Sequence, residues 1–362
     1  MKTYILSNGY GEDFIGNRLA QALNTISPNT TCVAAPLLGA GKAYSCKTLT
    51  KSPMPPSGGF LRSPFAILKD LFALSPLWLI KHIITLRKHQ KEAALVIAVG
   101  DVFCLCIAYL CFKKRCVFLP TAKSHHFMTH TGLECWLMKR FCSEIFTRDQ
   151  LTADDLSKKG LPTSYLENPM MGGFSRSKHH YKIPENTPVI GLLPGSRVES
   201  VQNLKKILSV LEALYECDPK AHYLLSLHPN YSLSNYKAAL PKGWNIYKDT
   251  LQFKTLRIEI TKSFGDFLAL SDKVIGLAGT ANEQAIHAGI PVFSFVGTGP
   301  QSSKKRFLEQ QQLLGKSYHF LDESEPKKLA EIILKTKALK QAFKEDIQRP
   351  EERIIKSIFD RP

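Results

Sequence analysis

Val189-Ile190-Gly191-Leu192-Leu193-Pro194-Gly195-Ser196-Arg197-Val198-Glu199 joins a strand, a glycine turn and the approach to a helix. Five apolar residues form a short strand, and a helical pattern from Val201 to Leu214 follows the turn. Glycine lets the backbone approach a ligand, and a helix start offers unpaired N–H groups. Arg197 can grip a phosphate at two points, with Ser196 and Glu199 beside it. The competing reading is a tight turn with Ser196 as helix cap.

Working toward the C-terminus, the arrangement repeats. A strand at Val274–Leu277 runs into Gly279-Thr280-Ala281-Asn282-Glu283-Gln284, where small residues open a helix whose first turn carries polar groups suited to ribose hydroxyls. That helix ends at Gly289, and Pro291 leads into the strand Val292–Val296. Gly297-Thr298-Gly299-Pro300-Gln301 then supplies a third polar loop, and His228 closes the strand Tyr223–Leu227 at the same sheet edge. Two glycine-rich strand-to-helix turns in one half argue for a diphosphate nest.

Toward the N-terminus the plan recurs. Thr3–Ser7 is a β-rich run, Asn8-Gly9-Tyr10-Gly11 a turn, and helical spacing begins near Asp13, with Glu12 beside it. Ala93–Phe112 is twenty residues with a single charge, Asp101, long enough to suggest a membrane span. Gly100-Asp101 divides it into a buried strand and a buried helix, and a carboxylate mid-membrane is costly, so a soluble strand–turn–helix is expected. Chemistry in such sheets gathers at the carboxyl ends of strands, where Gly9–Asp13 and Gly100–Asp101 both fall. The polar stretch Lys178–Pro188 reads as a linker. The expectation is therefore two doubly wound α/β domains facing across a cleft: residues 1–177, a linker at 178–188, and residues 189–345. A closing helix at 346–362 is expected to pack back on the first domain.

The formal charge of +17 favours anionic partners, whether phosphorylated substrates, anionic lipid or nucleic acid. No motif interleaves aromatic and basic residues on a strand, which argues against nucleic acid. The stretch Phe60–Glu92 mixes apolar and aromatic residues with six basic and two acidic ones. Such a composition suits a segment lying on an anionic bilayer, or a packed helix with a basic outer face. Nine cysteines without a C-x-x-C, several inside apolar runs, point to a reducing cytosolic compartment and no metal site. The Walker A and G-x-G-x-x-G patterns are missing, and no two aspartates stand two apart. No metal or organic cofactor is therefore expected.

Leu192–Glu199 (L-L-P-G-S-R-x-E) and Gly279-Thr280-Ala281 resemble lipid-A-disaccharide synthase, a GT-B glycosyltransferase. Related bacterial proteins are similar at Ser7–Asp13, Thr121–Ser124, Arg148–Leu156, Asn168–Met171, Ala278–Gln284 and Gly299–Gln301. The resemblance thus covers most of the chain. It implies inverting, metal-independent transfer from a UDP-sugar to a lipid or lipid-linked acceptor, between the domains and at the cytoplasmic face of a membrane. On that footing Gly195, Ser196, Arg197, Glu199, His228, the Gly279–Gln284 turn, Gly299 and Gln301 hold the donor. Asp101, Glu12 or Asp13 serves as base, and Asn8, Gly9, Lys123, Ser124 and His125 line the acceptor side. His125 and His126 are alternative bases. A non-hydrolysing UDP-sugar epimerase and a non-catalytic nucleotide-sugar-binding membrane protein are the rival readings.

Overall fold

The computed structural model describes residues 1–50, 76–126, 128–172, 174, 176–181, 183, 186–196, 198–228, 231–299, 302–336 and 349–360. Residues 60–75 of the basic apolar stretch Phe60–Glu92, together with Arg197, Pro300 and Gln301, lie outside that set. The chain divides into two compact units, Met1–Gly172 with Gln348–Pro362, and Gly173–Ile347.

In the first unit β1 (Lys2–Ser7) leads through α1 (Tyr10–Ile26) to β2 (Thr31–Pro36) and the two-residue β3 (Lys47–Thr48). After α2 (Pro76–Arg87) come β4 (Ala93–Gly100), α3 (Val102–Phe112), β5 (Cys116–Pro120) and α4 (Gly132–Phe141). The series ends with β6 (Cys142–Phe146), α5 (Gln150–Lys158) and β7 (Thr163–Ser164). All pairings are parallel, in the order β3-β2-β1-β4-β5-β6-β7. The apolar run at 93–112 is thus a strand and a helix divided at Asp101. The run is apolar throughout because β4 is the middle strand of the sheet, while α3 lies between α2 and α4 against it. Among the described residues no helix is long and apolar enough to cross a membrane.

The second unit repeats the design. It runs β8 (Val189–Leu193), α6 (Ser200–Cys217), β9 (His222–Ser226), β10 (Asn245–Tyr247), β11 (Thr250–Phe253), β12 (Leu256–Thr261) and α7 (Phe264–Leu270). It continues through β13 (Lys273–Gly276), α8 (Thr280–His287), β14 (Val292–Ser294), α9 (Lys304–Leu314), β15 (Tyr318–Phe320) and α10 (Pro326–Lys335). Its order is β10-β11-β12-β9-β8-β13-β14-β15, antiparallel only where β10 and β11 extend one edge. Numbered by appearance, the parallel strands read 3-2-1-4-5-6 in the second unit and 3-2-1-4-5-6-7 in the first, the doubly wound dinucleotide-fold order with one added edge strand.

Each sheet therefore reverses direction at one point: between β1 and β4 in the first unit, between β8 and β13 in the second. In such folds ligands sit at the carboxyl ends of the strands flanking that reversal, where two loops diverge and leave a crevice. The last helix, α11 (Pro350–Phe359), belongs to the first unit and buries Ile354 and Ile355 beside Ile15, Leu19 and Leu23 of α1.

Candidate functional site

In the first unit the loops after β1 and β4 flank the reversal, and they carry Asn8, Gly9, Glu12 and Asp101. Gly100 has φ +146°, and a Cβ there would come within 1.8 Å of Asn8 Oδ1. Only glycine lets the two loops close on each other this tightly. Asp101 caps α3, accepting from the Cys104 N–H at 3.1 Å. Its carboxyl also takes a hydrogen bond from Asn8. Burial pushes the Asp101 carboxyl up from the usual range, against the pull of those donors.

Glu12, in the first turn of α1, accepts from Thr121 Oγ1 at 2.9 Å. Desolvation raises its pKa and the nearby Asp101 raises it further, while Thr121 and Arg148 oppose the rise. Arg148 also donates to the Thr121 carbonyl at 3.2 Å. Four strand ends, those of β1, β4, β5 and β6, thus contribute Glu12, Asp101, Thr121 and Arg148 to one polar cluster. Asp13 sits deeper, 1% exposed, and accepts from Ser7 Oγ at 2.6 Å. Ser7 in turn accepts from the Tyr44 hydroxyl at 2.9 Å. Burial, with Glu12 adding to it, pushes the Asp13 carboxyl up to about 7.

The expected acceptor-side residues scatter. Lys123 is held by Glu134 at 2.7 Å, and Ser124 is fully buried with its hydroxyl accepting from the His126 N–H. Both side chains bond within the local loop. His125 remains accessible, 3.8 Å from Asp155.

In the second unit Gly195, Ser196, Glu199, Gly279, Thr298 and Gly299 line one recess together with Asn203 and Ser302. The loops come from β8, β13 and β14, so the recess lies at the reversal of the sheet. Gly299 has φ +90°, and a Cβ there would come within 2.7 Å of Glu199 Cγ, which closes the third loop onto the first. Ser196 is exposed, and α6 starts four residues later at Ser200, so Ser196 does not cap it.

The residue that binds this recess together is Asn203, 3% exposed. Its amide nitrogen donates to the Pro194 carbonyl and to Ser302 Oγ, both at 3.2 Å, while its oxygen accepts from the Thr298 N–H at 2.7 Å. Ser302 donates to the Leu277 carbonyl at 2.9 Å, and Gln310 to the Gly279 carbonyl at 2.9 Å. Sequence reasoning missed Asn203, Ser302 and Gln310. The available signal was a polar residue on the buried stripe of an amphipathic helix, since Ser200 and Asn203 precede Leu204 and Ile207 on one face.

Within the Gly279 turn the outer residues, Gly279, Thr280 and Ala281, stay accessible. Asn282 turns inward: it is fully buried and donates to the Gly276 carbonyl at 3.2 Å and Ser294 Oγ at 3.3 Å. Glu283 is buried 3.6 Å from Arg306, and Gln284 is buried as well. Asn282 thus ties the turn to the strand ends beneath it. His228 is half-buried and its pKa is lowered by desolvation. Among the described residues no group of three or more His, Cys, Asp or Glu side chains is arranged to hold a metal ion.

Neither a protein-family model nor a curated protein sequence matches the chain. Solved structures do share its fold. The UDP-GlcNAc 2-epimerase of Neisseria meningitidis, bound to UDP-GlcNAc, aligns over 100% of both chains with TM-score 0.58 and 12% identity. MurG of Acinetobacter baumannii covers 97% of this chain and 94% of its own, with TM-score 0.57 and 11% identity. The calicheamicin glycosyltransferase CalG4 covers 98% and 94%, with TM-score 0.55 and 11% identity. At these identities the likeness defines the fold, an α/β structure of GT-B type with two Rossmann-like domains.

Proposed function

We propose that the protein is a UDP-sugar-dependent enzyme, and specifically an inverting, metal-independent transferase that moves the sugar to a lipid or lipid-linked acceptor. The observation that carries the first part is the convergence of three strand-end loops on one recess at the reversal of the second sheet. Backbone N–H groups of the Gly195 loop and of the start of α8 suit a diphosphate, and Arg197 is assigned its charge. The nucleotide-sugar held by the Neisseria epimerase and the transferase activity named for CalG4 support the same ligand class.

The first unit supplies the base. A carboxylate whose pKa is raised is a stronger proton acceptor than a solvated one, and Glu12 and Asp101 are both raised by burial. Glu12 carries the role more readily, because Asp101 already serves Cys104 and Asn8. The lipid acceptor is supported by three neighbouring helices, α2, α3 and α4. They leave Ile80, Ile84, Phe103, Leu133 and Trp136 exposed among lysines and arginines. Resemblance to lipid-A-disaccharide synthase points the same way.

Epimerisation is the second reading, favoured by the epimerases among the structural neighbours. Incubation with UDP-GlcNAc alone separates the two: an epimerase yields the 2-epimer of unchanged mass, and a transferase leaves the sugar intact until an acceptor is added.

The first experiment is calorimetric titration with UDP, UDP-GlcNAc, GDP and ADP. Selective uridine diphosphate binding is expected, weakened in Arg197→Ala by about 1.5–3 kcal/mol, the range for a charged hydrogen bond. Equal binding of all three diphosphates, or an unchanged affinity in a folded Arg197→Ala, removes the nucleotide assignment.

A further inference from the structure

The β2–β3 edge of the first sheet brings two cysteines together. Val33 pairs with Lys47 and Ala34 with Thr48 in parallel register, so one step earlier Cys32 stands opposite Cys46. Neighbouring strands lie about 4.8 Å apart, inside the ~4.4–6.8 Å between Cα atoms that a disulfide spans. Both side chains fall on the same face, in the cluster with Ile5, Leu19 and Ala34. Both are free thiols, Cys32 buried and Cys46 half-buried on the outermost strand's approach.

The segment carrying Cys46 is tethered residue by residue. Tyr44 donates to Ser7 Oγ, and the Ser45 N–H and hydroxyl both donate to Asn17 Oδ1 at 2.9 Å. Cys46 completes the set against Cys32. Two thiols held in register, one reachable and one enclosed, are the parts of a dithiol that reacts in sequence.

We infer that Cys46 and Cys32 form a thiol–disulfide exchange site, Cys46 attacking and Cys32 resolving, with a low-molecular-weight disulfide as oxidant. In the first step the Cys46 thiolate attacks one sulfur of the oxidant; that S–S bond breaks, a mixed disulfide forms on Cys46, and the released thiolate takes up a proton. In the second step Cys32 attacks Cys46 Sγ, the mixed disulfide breaks, and the second small thiol leaves with the Cys32 proton. Two protein thiols are oxidised and one small disulfide is reduced to two thiols. The pair's own electrostatics favour this order. Cys32 donates its S–H toward Cys46, which lowers the Cys46 thiol to about 7 and pushes the Cys32 thiol up. The attacking sulfur thus ionises more readily than an ordinary thiol, which favours it as the nucleophile in exchange. The bridge would fix to β2 the loop whose Tyr44 donates to Ser7, the donor to Asp13. The inference stands apart from the nucleotide-sugar reading.

The test uses the full chain with glutathione disulfide, followed by quenching with N-ethylmaleimide and tryptic mapping. Cleavage after Arg18, Lys42 and Lys47 separates the two cysteines, so the bridge appears as peptide 19–42 joined to peptide 43–47. Expected are that joined species, and a stable glutathione adduct on Cys46 in Cys32→Ser. Alkylation of Cys46 in the untreated protein should outpace that of the exposed Cys217 at pH 7 at least several-fold. That rate needs no variant, so a misfolded Cys32→Ser cannot obscure the result. Alkylation of Cys46 no faster than Cys217, or glutathione found only on Cys217 with no joined peptide, overturns the inference.

Discussion

Asp13 shows how a single side chain couples the candidate site to stability. Its carboxyl titrates near 7 in the folded chain, against about 3.9 when unfolded. Raising a carboxyl's pKa means that the folded state holds the proton more tightly. Below the unfolded pKa both states are protonated and there is no penalty; above the folded pKa the buried charge opposes folding in full. Stability contributed by this group therefore falls as pH rises from about 4 to about 7, by on the order of 4 kcal/mol at 1.36 kcal/mol per unit. Asp13→Asn keeps an acceptor for Ser7 and removes the titration. Urea unfolding from pH 4 to 8 should show wild type losing that amount relative to the variant. Parallel pH profiles would mean that Asp13 stays charged throughout. Glu12, one residue earlier, turns instead to Thr121 at the carboxyl end of β5, so the neighbouring carboxyls serve different partners.

Among the elements, α11 shows why part of the fold was legible in the sequence and part was not. The central parallel strands could be read because they are apolar without interruption, as in Ala93–Gly100 and Val189–Leu193. The glycine turns could be read because they follow those strands. The inward turn of Asn282 and the pairing of Lys123 with Glu134 went unread, because type and spacing say nothing about which way a polar side chain turns. The β10–β12 strands went unread because they are short and polar at the sheet edge. Arg18 and Glu351 stand 333 positions apart, and no local pattern joins them. Both are 5% exposed, and Glu351 accepts from Arg18 Nε at 3.1 Å and from Nη2 at 2.8 Å through each oxygen. Arg18 Nη1 also donates to the carbonyls of Pro169 and Gly172, tying the end of the first unit's main segment to the returning helix. Glu351→Ala leaves a buried guanidinium without its counter-charge and should cost about 3–5 kcal/mol in denaturant unfolding. Arg18→Met with Glu351→Leu should recover most of it, since an apolar pair needs no counter-charge. A loss below about 1 kcal/mol in Glu351→Ala would instead mean that Ile354 and Ile355 dock the helix unaided.

At the scale of the whole molecule the charge of +17 sets what the protein meets first. Long-range attraction brings any anionic surface close, but it is screened beyond about 8–10 Å at physiological salt and cannot by itself hold the protein there. Short-range apolar contact can, and the first unit offers it. Trp136 is 61% exposed and Leu133 68% on α4, next to α3 with Phe103 and α2 with Ile80 and Ile84. Lys81, Arg87, Lys88, Lys139 and Arg140 are exposed on the same helices or just beyond them. An anionic bilayer matches both features, because headgroup charge answers the lysines and the acyl boundary takes the rings. Sedimentation with vesicles containing phosphatidylglycerol should recover the protein at low salt, and vesicles of phosphatidylcholine alone should recover little. Raising the salt should weaken binding without abolishing it. Leu133→Asp with Trp136→Asp should reduce partitioning at least tenfold at either salt, since each large apolar side chain contributes about 1.5–3 kcal/mol when buried. Equal recovery on neutral and anionic vesicles, or a double variant that binds as wild type, would detach the acceptor from the membrane. The transferase reading would then rest on a soluble acceptor, and the exposed tryptophan would need another partner.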